Sequence, residues 1–403
     1  MQAEKLLGKV DNKMANIKVV IGSNFGDEGK GLMTDYFCHQ STSQGENCIV
    51  VMSNGGAQRG HTVVDPLGTR HVFKHFGSGT LAGGDTYCID DFILNPMEFR
   101  QEYEALLQMG YLPKIYVHPN CRWSTPYDMI INQIVEETRE DKKHGSCGMG
   151  IWETVYRYQK KPCVFNLFEF AMLSFDSQVN YLKSIRDTYM LERLKEYGIN
   201  SIPNTWKDIV YSNILIENFI NDAKFMIYKV RFANYNILNQ YQNVVFENGQ
   251  GLLLDQNQTL YGDNTTPSNT GILNPIKVIN NTFNKANIEV CYVTRTYLTR
   301  HGAGRFEEEC DKSHINKHMV DETNQTNQFQ GQLRYGELVT EDLVKRVRND
   351  LCYLSKSKFN WVASFGVTHT NEKQFDYSDL QRDFVKNIYV SDRRDRDSVT
   401  IFK

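Results

Sequence analysis

Hydrophobic positions in this chain fall into two patterns, short continuous runs and longer stretches spaced by three and four. Ile17-Lys-Val-Val-Ile21 reads as a buried strand running straight into closely spaced glycines, and a helix is expected from about Leu32 to Cys38. Cys48-Ile-Val-Val-Met52 reads as a second strand, and it too ends in a Gly-rich turn, Asn54-Gly-Gly-Ala-Gln-Arg-Gly-His61. The same alternation of apolar run and polar turn returns at Asn243–Glu247, Ile288–Thr294, Trp361–Phe365 and Ile388–Val390. Repetition of this kind predicts an α/β fold with a large, mostly parallel central sheet, flanking helices and functional loops at the strand ends.

Between about Phe165 and Tyr241 the pattern changes. Ile209, Ile214, Ile216, Phe219 and Ile220 sit at helical spacing, which predicts a helical insertion over about 165–241. From Asp311 to Arg334 the chain is rich in Asn, Gln, Lys and Thr and poor in apolar residues, which predicts a mobile surface loop over about 311–336. Residues 1–16 are polar and read as a flexible arm, leaving 17–403 as a single domain.

Composition narrows the function classes. With 45 Lys plus Arg against 48 Asp plus Glu, there is no electrostatic footprint for nucleic acid or an anionic membrane, so phosphate contacts are expected to be local. Nine Cys without CxxC pairs, and no apolar stretch of signal-peptide length at the N-terminus, point to a reduced cytoplasmic setting. No apolar run reaches membrane-spanning length.

The first Gly-rich turn, Gly22-Ser-Asn-Phe-Gly-Asp-Glu-Gly-Lys-Gly31, puts glycines and a lysine at a helix start. Backbone N–H groups and the helix dipole then converge on phosphate oxygens, making a P-loop-like nucleotide site. Its spacing departs from a true Walker A, because Asn24 stands where the first Gly belongs and Gly31 follows the lysine. Asp27 and Glu28 in its centre would repel phosphate unless a divalent cation or a proton transfer is involved. A Gly-rich turn with solvated acids is the other reading of this loop in isolation. The second turn comes one helix and one strand later, the spacing expected if both turns lie side by side, with His61 facing Asp27 across a phosphate site.

These loops resemble those of the adenylosuccinate synthetases, which typically read G-x-x-W-G-D-E-G-K-G and G-G-x-N-A-G-H-T. Further matches follow in the family's order: Gly145-Ser-Cys-Gly-Met-Gly150, Glu247-Asn-Gly-Gln-Gly-Leu-Leu-Leu-Asp255, Thr266-Pro-Ser-Asn-Thr270, Thr299-Arg-His-Gly-Ala-Gly304, Gln330-Gly-Gln-Leu-Arg-Tyr-Gly336 and Ser391-Asp-Arg-Arg-Asp-Arg396. The resemblance implies an enzyme that phosphorylates the 6-oxygen of a purine monophosphate and then lets the amino group of L-aspartate displace that phosphate.

By the same resemblance Asp27 is the base that removes the N1 proton, and it binds Mg2+ together with the backbone carbonyl of Gly60. His61 would hydrogen-bond the transferring phosphoryl group as a protonated imidazole. Lys30, with Gly26, Glu28, Gly29 and Gly31, would hold the donor phosphates, and Thr62, Arg334 and Ser391 belong to the same nucleotide set. Gln250 would contact the purine ring. Gln58, Ser146, Cys147, Thr266 and Asn269 would surround the acceptor nucleotide, with Gly331 and Arg334 on the aspartate side. Family members commonly dimerise and draw an arginine from the neighbour, so a homodimer is implied; Lys160 and Lys161 are the nearest cations to that position.

Three departures bear on the substrates. Only Arg334 remains of the family's arginine-rich aspartate loop, as in the shorter archaeal and phage branches, some of which act on dGMP. The family's T-K-L-D segment, whose acid reads guanine, is replaced by Ala363-Ser-Phe-Gly-Val-Thr-His369, which leaves GTP and ATP both open as donor. Phage enzymes that take dGMP typically carry a small residue where this chain keeps Asp27, so its retention favours IMP or dIMP. A 2-aminoadenylosuccinate synthetase acting on dGMP is one alternative. A repurposed nucleotide-binding or hydrolysing protein that works with a partner is the other.

Overall fold

The computed structural model describes residues 14–139, 144–160, 164–262, 264–319 and 331–402. Ten strands form one sheet: β1 (Ala15–Gly22), β2 (Cys48–Met52), β3 (Asp85–Cys88), β4 (Ile115–Val117), β5 (Arg231–Phe232), β6 (Asn243–Gly251), β7 (Ala286–Arg295), β8 (Trp361–Thr368), β9 (Val385–Val390) and β10 (Thr400–Phe402). Their spatial order is β10-β9-β8-β7-β1-β6-β2-β3-β4-β5. Neighbours run parallel except at one edge, where β10 returns antiparallel to β9.

The central strands are apolar at nearly every position because helices cover both faces, as parallel sheets require. Along β1 the side chains alternate between the two resulting cores. Val20 joins one that includes Phe37, Val50 and Trp123, while Ile17, Val19 and Ile21 join the other with Phe246, Val290 and Phe365. All six expected strands are present. β3, β4, β5 and β10 are two to four residues long, too short for a periodic signal.

Three boundaries differ from the sequence reading. Ala15 and Asn16, expected in the arm, already pair with Ala286 and Asn243 in β1; residues 1–13 lie outside the described ones. The helical insertion runs from Leu167 to Lys229 and does not reach Tyr241, since Arg231 and Phe232 add an edge strand to the sheet. Of its marked apolar positions, Ile216, Phe219 and Ile220 are buried, whereas Ile209 and Ile214 face solvent.

The third concerns 311–336, whose two ends are built into structure. Asp311 caps the short helix Lys312–Ile315, and Arg334–Gly336 forms a three-stranded sheet with Leu298–Arg300 and Glu309–Cys310. The centre of that segment, 320–330, lies outside the described residues. Among the described residues no helix is long and apolar enough to cross a membrane.

Candidate active site

The first loop leaves β1 at its carboxyl end, and its two acids take opposite positions. Glu28 turns inward: Oε1 accepts from the N–H groups of Asn24 at 3.0 Å and Gly26 at 2.8 Å, and Oε2 accepts from Nζ of Lys30 at 2.8 Å. Both side chains of this pair are only 2% exposed. Glu28, expected to contact the nucleotide, is instead the internal brace around which the loop folds. That removes half of the repulsion its sequence implied. Only glycine fits at position 22, where a Cβ would stand 2.5 Å from Oε2 of Glu28 and 2.6 Å from the carbonyl of Gln250.

Asp27 turns outward, with 31% of its side chain exposed. Its backbone is left-handed at φ 60, a conformation an Asp tolerates better than most residues. Arg295, at the end of β7, donates from Nε to the Asp27 carbonyl at 2.6 Å and holds that peptide in place. Nε2 of His301 lies 3.2 Å from Oδ2 of Asp27. Burial alone would raise the carboxyl pKa, but the His301 hydrogen bond and the charges of His301, Arg295 and Lys30 outweigh it and hold Asp27 below the usual carboxylate range. The group is an anion throughout the neutral pH range.

Lys30 opens the helix α1 (Lys30–Thr42), and its ammonium, expected on donor phosphates, is turned inward to Glu28. α1 also brings in the second turn: a Cβ on Gly31 would meet the Thr62 carbonyl at 2.8 Å and the His61 Cβ at 3.4 Å. His61 begins a short hairpin, His61–Val64 with Arg70–Phe73. Its Nδ1 lies 2.6 Å from Oε1 of Glu247, on β6. Arg59 reaches the other oxygen of Glu247 at 3.2 Å, and Ser78 donates to it through its backbone N–H at 3.1 Å. Nη2 of Arg59 also lies 2.8 Å from Nδ1; in the tautomer that gives Nδ1–H to the carboxylate, Nε2 is the nitrogen left to accept.

Burial first, and then the Arg59 charge, push the His61 pKa down to about 4, against the pull of Glu247. In the protein alone the imidazole is therefore neutral, not protonated as the resemblance implied. Glu247, despite its burial, is held down to about 2 by Arg59 and His61.

Around this centre, both amide atoms of Gln58, Oε1 of Gln250 and Oγ1 of Thr62 are buried without a hydrogen-bond partner. Interior polar groups left so are costly. Gln250 has φ 57, and its Cα packs 3.7 Å from where a Gly26 Cβ would be, so this glutamine abuts the first loop. Gly60 is exposed on the turn before His61.

The remaining expected residues ring this core through linked loops. Ala303 donates to the His144 carbonyl at 3.0 Å, joining the 144–150 segment to the loop of His301. In that segment Ser146 accepts from Asn132 at 2.8 Å. Burial pushes the Cys147 thiol up to about 11, so it is a neutral, weak donor. Thr266 donates to the Leu254 carbonyl, Ser268 joins Asn54 of the second turn at 3.0 Å, and Asn269 donates to Asn274 at 3.0 Å. Gly55, Arg122, Ile151, Ser268 and Asn269 line a polar cavity of about 150 Å³ here, in which Arg122, a cation that sequence spacing did not single out, faces Asp91 at 3.7 Å.

Arg334 and Ser391 take settings other than those expected. The guanidinium of Arg334 is gripped by Glu309 at 2.7 and 2.5 Å and donates to the carbonyls of Gly302 at 3.2 Å and Gly304 at 2.9 Å. It braces the His301 loop, where an aspartate ligand was expected. The Ser391 hydroxyl turns inward to the Arg393 carbonyl and Ser398. Gly331 is exposed at the edge of the described residues, and Lys161 lies outside them.

Glu247, Arg295 and His301 were not singled out from sequence. Glu247 and His301 lie inside matched motifs, and that position was their available signal; Arg295, one residue past the expected strand, gave none.

The adenylosuccinate synthetase family model matches residues 19–337. Adenylosuccinate synthetases of Mesoplasma florum and Synechocystis sp. are 29% identical over 306 residues and 27% identical over 321 residues. The matches cover 73% and 76% of this chain but 65% and 66% of those relatives, a little under two thirds of their length. The fully ligated adenylosuccinate synthetase of Plasmodium falciparum superposes with a TM-score of 0.68 at 16% identity, covering 96% of this chain and 100% of that one. The cyanophage S-2L succinoaminodeoxyadenylate synthetase, bound to dGMP and to dATP as an energy donor, gives 0.61 at 14% identity, with 96% of each chain covered. At such identities the superpositions speak for the fold. The family match spans most of the chain and includes both loops, and the chain belongs to the adenylosuccinate synthetase family.

Proposed function

We propose that this chain is a magnesium-dependent ligase joining L-aspartate to IMP or dIMP through a 6-phosphoryl intermediate, with hydrolysis of GTP or ATP. The observation that carries this reading is the outward carboxylate of Asp27, kept ionised at the mouth of a phosphate-binding loop. A neutral lactam is a poor phosphate acceptor. Asp27 takes the N1 proton while the 6-oxygen forms a bond to the γ-phosphorus and the nucleoside diphosphate leaves. The aspartate amine then attacks C6, and the 6-oxygen departs as part of inorganic phosphate. Nε2 of His61 stands ready for the phosphoryl group, and arriving phosphate charge raises its proton affinity so that it becomes a donor.

The oxygen donors present suit Mg2+, since one carboxylate, Asp27, and the Gly60 carbonyl fit an ion that keeps waters and binds mainly through substrate phosphates. When bound, the ion would neutralise phosphate charge near the loop. Among the described residues no cluster of three or more His, Cys, Asp or Glu offers a metal cage, in keeping with a site completed by substrate. Gln58, Thr266, Asn269, Cys147 and Arg122 are assigned to the acceptor nucleotide, and Gln250 to its base. The setting we assign is the cytoplasm, supported by eight free cysteines among the described residues, and the assembly a homodimer.

The test is direct. With IMP, aspartate, Mg2+ and either GTP or ATP, adenylosuccinate formation raises ultraviolet absorbance and gives a product of the expected mass; no product with any donor removes the reading. A second reading, dGMP as acceptor, has the cyanophage relative bound to dGMP in its favour. A panel of IMP, dIMP, GMP and dGMP separates the two. Phosphate release that ignores aspartate would instead mark a hydrolase.

A further inference from the structure

We propose that Tyr297 withholds the carboxylate of Glu372 from the donor base, and that the donor is therefore an adenine nucleotide, ATP in preference to GTP. This rests on the ligase reading above and concerns the other half of the same site. Gln58, His61 and Gln250 occupy the side of the first loop beneath β2 and β6. A triphosphate lying on that loop must carry its nucleoside toward the opposite neighbours, β7 and β8. Thr296 and Tyr297 follow β7, and His369 follows β8. The end of β8 touches the loop itself, since Oγ1 of Thr368 donates to the Glu28 carbonyl at 2.9 Å.

Guanine presents two adjacent donors, N1–H and the 2-amino group, which a carboxylate can accept together. Adenine presents a bare N1 acceptor on that edge, which a free carboxylate would repel. The acid in the turn after β8 is Glu372, and the structure commits it elsewhere. Its carboxylate accepts the hydroxyl of Tyr297, a residue only 1% exposed. The same hydroxyl accepts from Nη1 of Arg295 at 2.8 Å, and Arg295 holds the Asp27 carbonyl.

The turn is pinned as well. His369, left-handed at φ 57, accepts from Thr296 at 3.2 Å and from the Glu372 N–H at 3.1 Å, and the Glu372 carbonyl accepts from Asn316 at 3.2 Å. Swinging Glu372 to a base would strand a buried phenol hydroxyl and loosen the residue that positions Asp27. An acid so engaged is not offered to the paired donors of guanine.

The experiment compares kcat/KM for ATP and GTP, together with calorimetric binding of their non-hydrolysable analogues, in the wild type, in Tyr297→Phe and in Tyr297→Phe with Glu372→Gln. The wild type is expected to favour ATP by about tenfold or more. Removing the phenol hydroxyl takes away the Tyr297 contact of Glu372, and the GTP-to-ATP ratio is expected to rise about tenfold, a gain that Glu372→Gln abolishes. A wild type that prefers GTP overturns the proposal, as does an unchanged ratio in a folded Tyr297→Phe protein. If that variant does not fold, the wild-type ratio decides. Analogue binding that favours adenine in a protein that makes no product would sink the ligase reading and leave the donor assignment standing.

Discussion

Glu247 accepts the Nδ1–H of His61 at 2.6 Å, at the end of the strand beside the phosphate loop. The pair sits inside a closed set, because Arg59 and Ser78 satisfy the remaining carboxylate positions. It fixes the ring orientation and leaves Nε2 as the open nitrogen. Glu247→Gln is expected to lower kcat by about 10- to 100-fold with little change in acceptor KM, because the lost function is orientation of His61. Steady-state kinetics with Glu247→Asp alongside checks this; a KM change alone would assign Glu247 to substrate binding.

The protonation of His61 is expected to follow ligand charge. Burial and Arg59 hold its pKa at about 4 in the protein alone, so between pH 5 and 8 it is neutral. A phosphate-bearing ligand adds negative charge next to Nε2 and raises the value. Proton NMR of the imidazole, with and without nucleotide and Mg2+, should show the midpoint moving upward. A midpoint that stays near 4 in the ternary complex would exclude His61 as the donor to the phosphoryl group.

Glu28 offers a stability test distinct from catalysis. Glu28→Gln leaves Lys30 buried without its counter-ion, a change that typically costs about 3–5 kcal/mol. Thermal unfolding should move to markedly lower temperature and triphosphate binding should weaken. A variant with unchanged unfolding and weakened donor affinity would return Glu28 to the nucleotide-contacting set.

Much of the fold was legible because its central strands are buried on both faces and so read as unbroken apolar runs, as at Ile49-Val-Val-Met52. Edge strands such as Arg231–Phe232 lack that signature and were lost inside a helical pattern. At the site, the motifs drew attention to Asp27, Lys30 and His61, and the fold gathers these three on and against the first loop. The direction of Glu28 could not, since whether an acid faces phosphate or its own loop depends on which amide groups the folded chain turns toward it. Arg334 shows the same limit: its fork was expected to serve a ligand carboxylate, and Glu309, brought beside it by the direct pairing of Glu309–Cys310 with Arg334–Gly336, takes that place.

Asp350 gives the fold a pH dependence away from the site. It is buried, accepts from the Ile272 N–H at 3.1 Å and from the Tyr292 hydroxyl at 2.7 Å, and burial pushes its pKa up to about 6. The folded value lies above the unfolded one, so its stabilising effect is complete below about pH 4 and is lost as pH rises through 6. Asp350→Asn should flatten that part of the profile and stabilise the protein at pH 8, by up to about 3 kcal/mol. Denaturant titrations at pH 5 and pH 8 check it; equal destabilisation at both would assign Asp350 a purely packing role.

The proposed chemistry is tested most directly by following the 6-oxygen. With IMP carrying heavy oxygen at that position, aspartate, Mg2+ and triphosphate, the label should appear in inorganic phosphate, one labelled phosphate per ligated nucleotide. Asp27→Asn should abolish the transfer while nucleotide binding persists. Unlabelled phosphate released alongside product, or full label transfer by Asp27→Asn, would contradict a 6-phosphoryl intermediate formed with Asp27 as base.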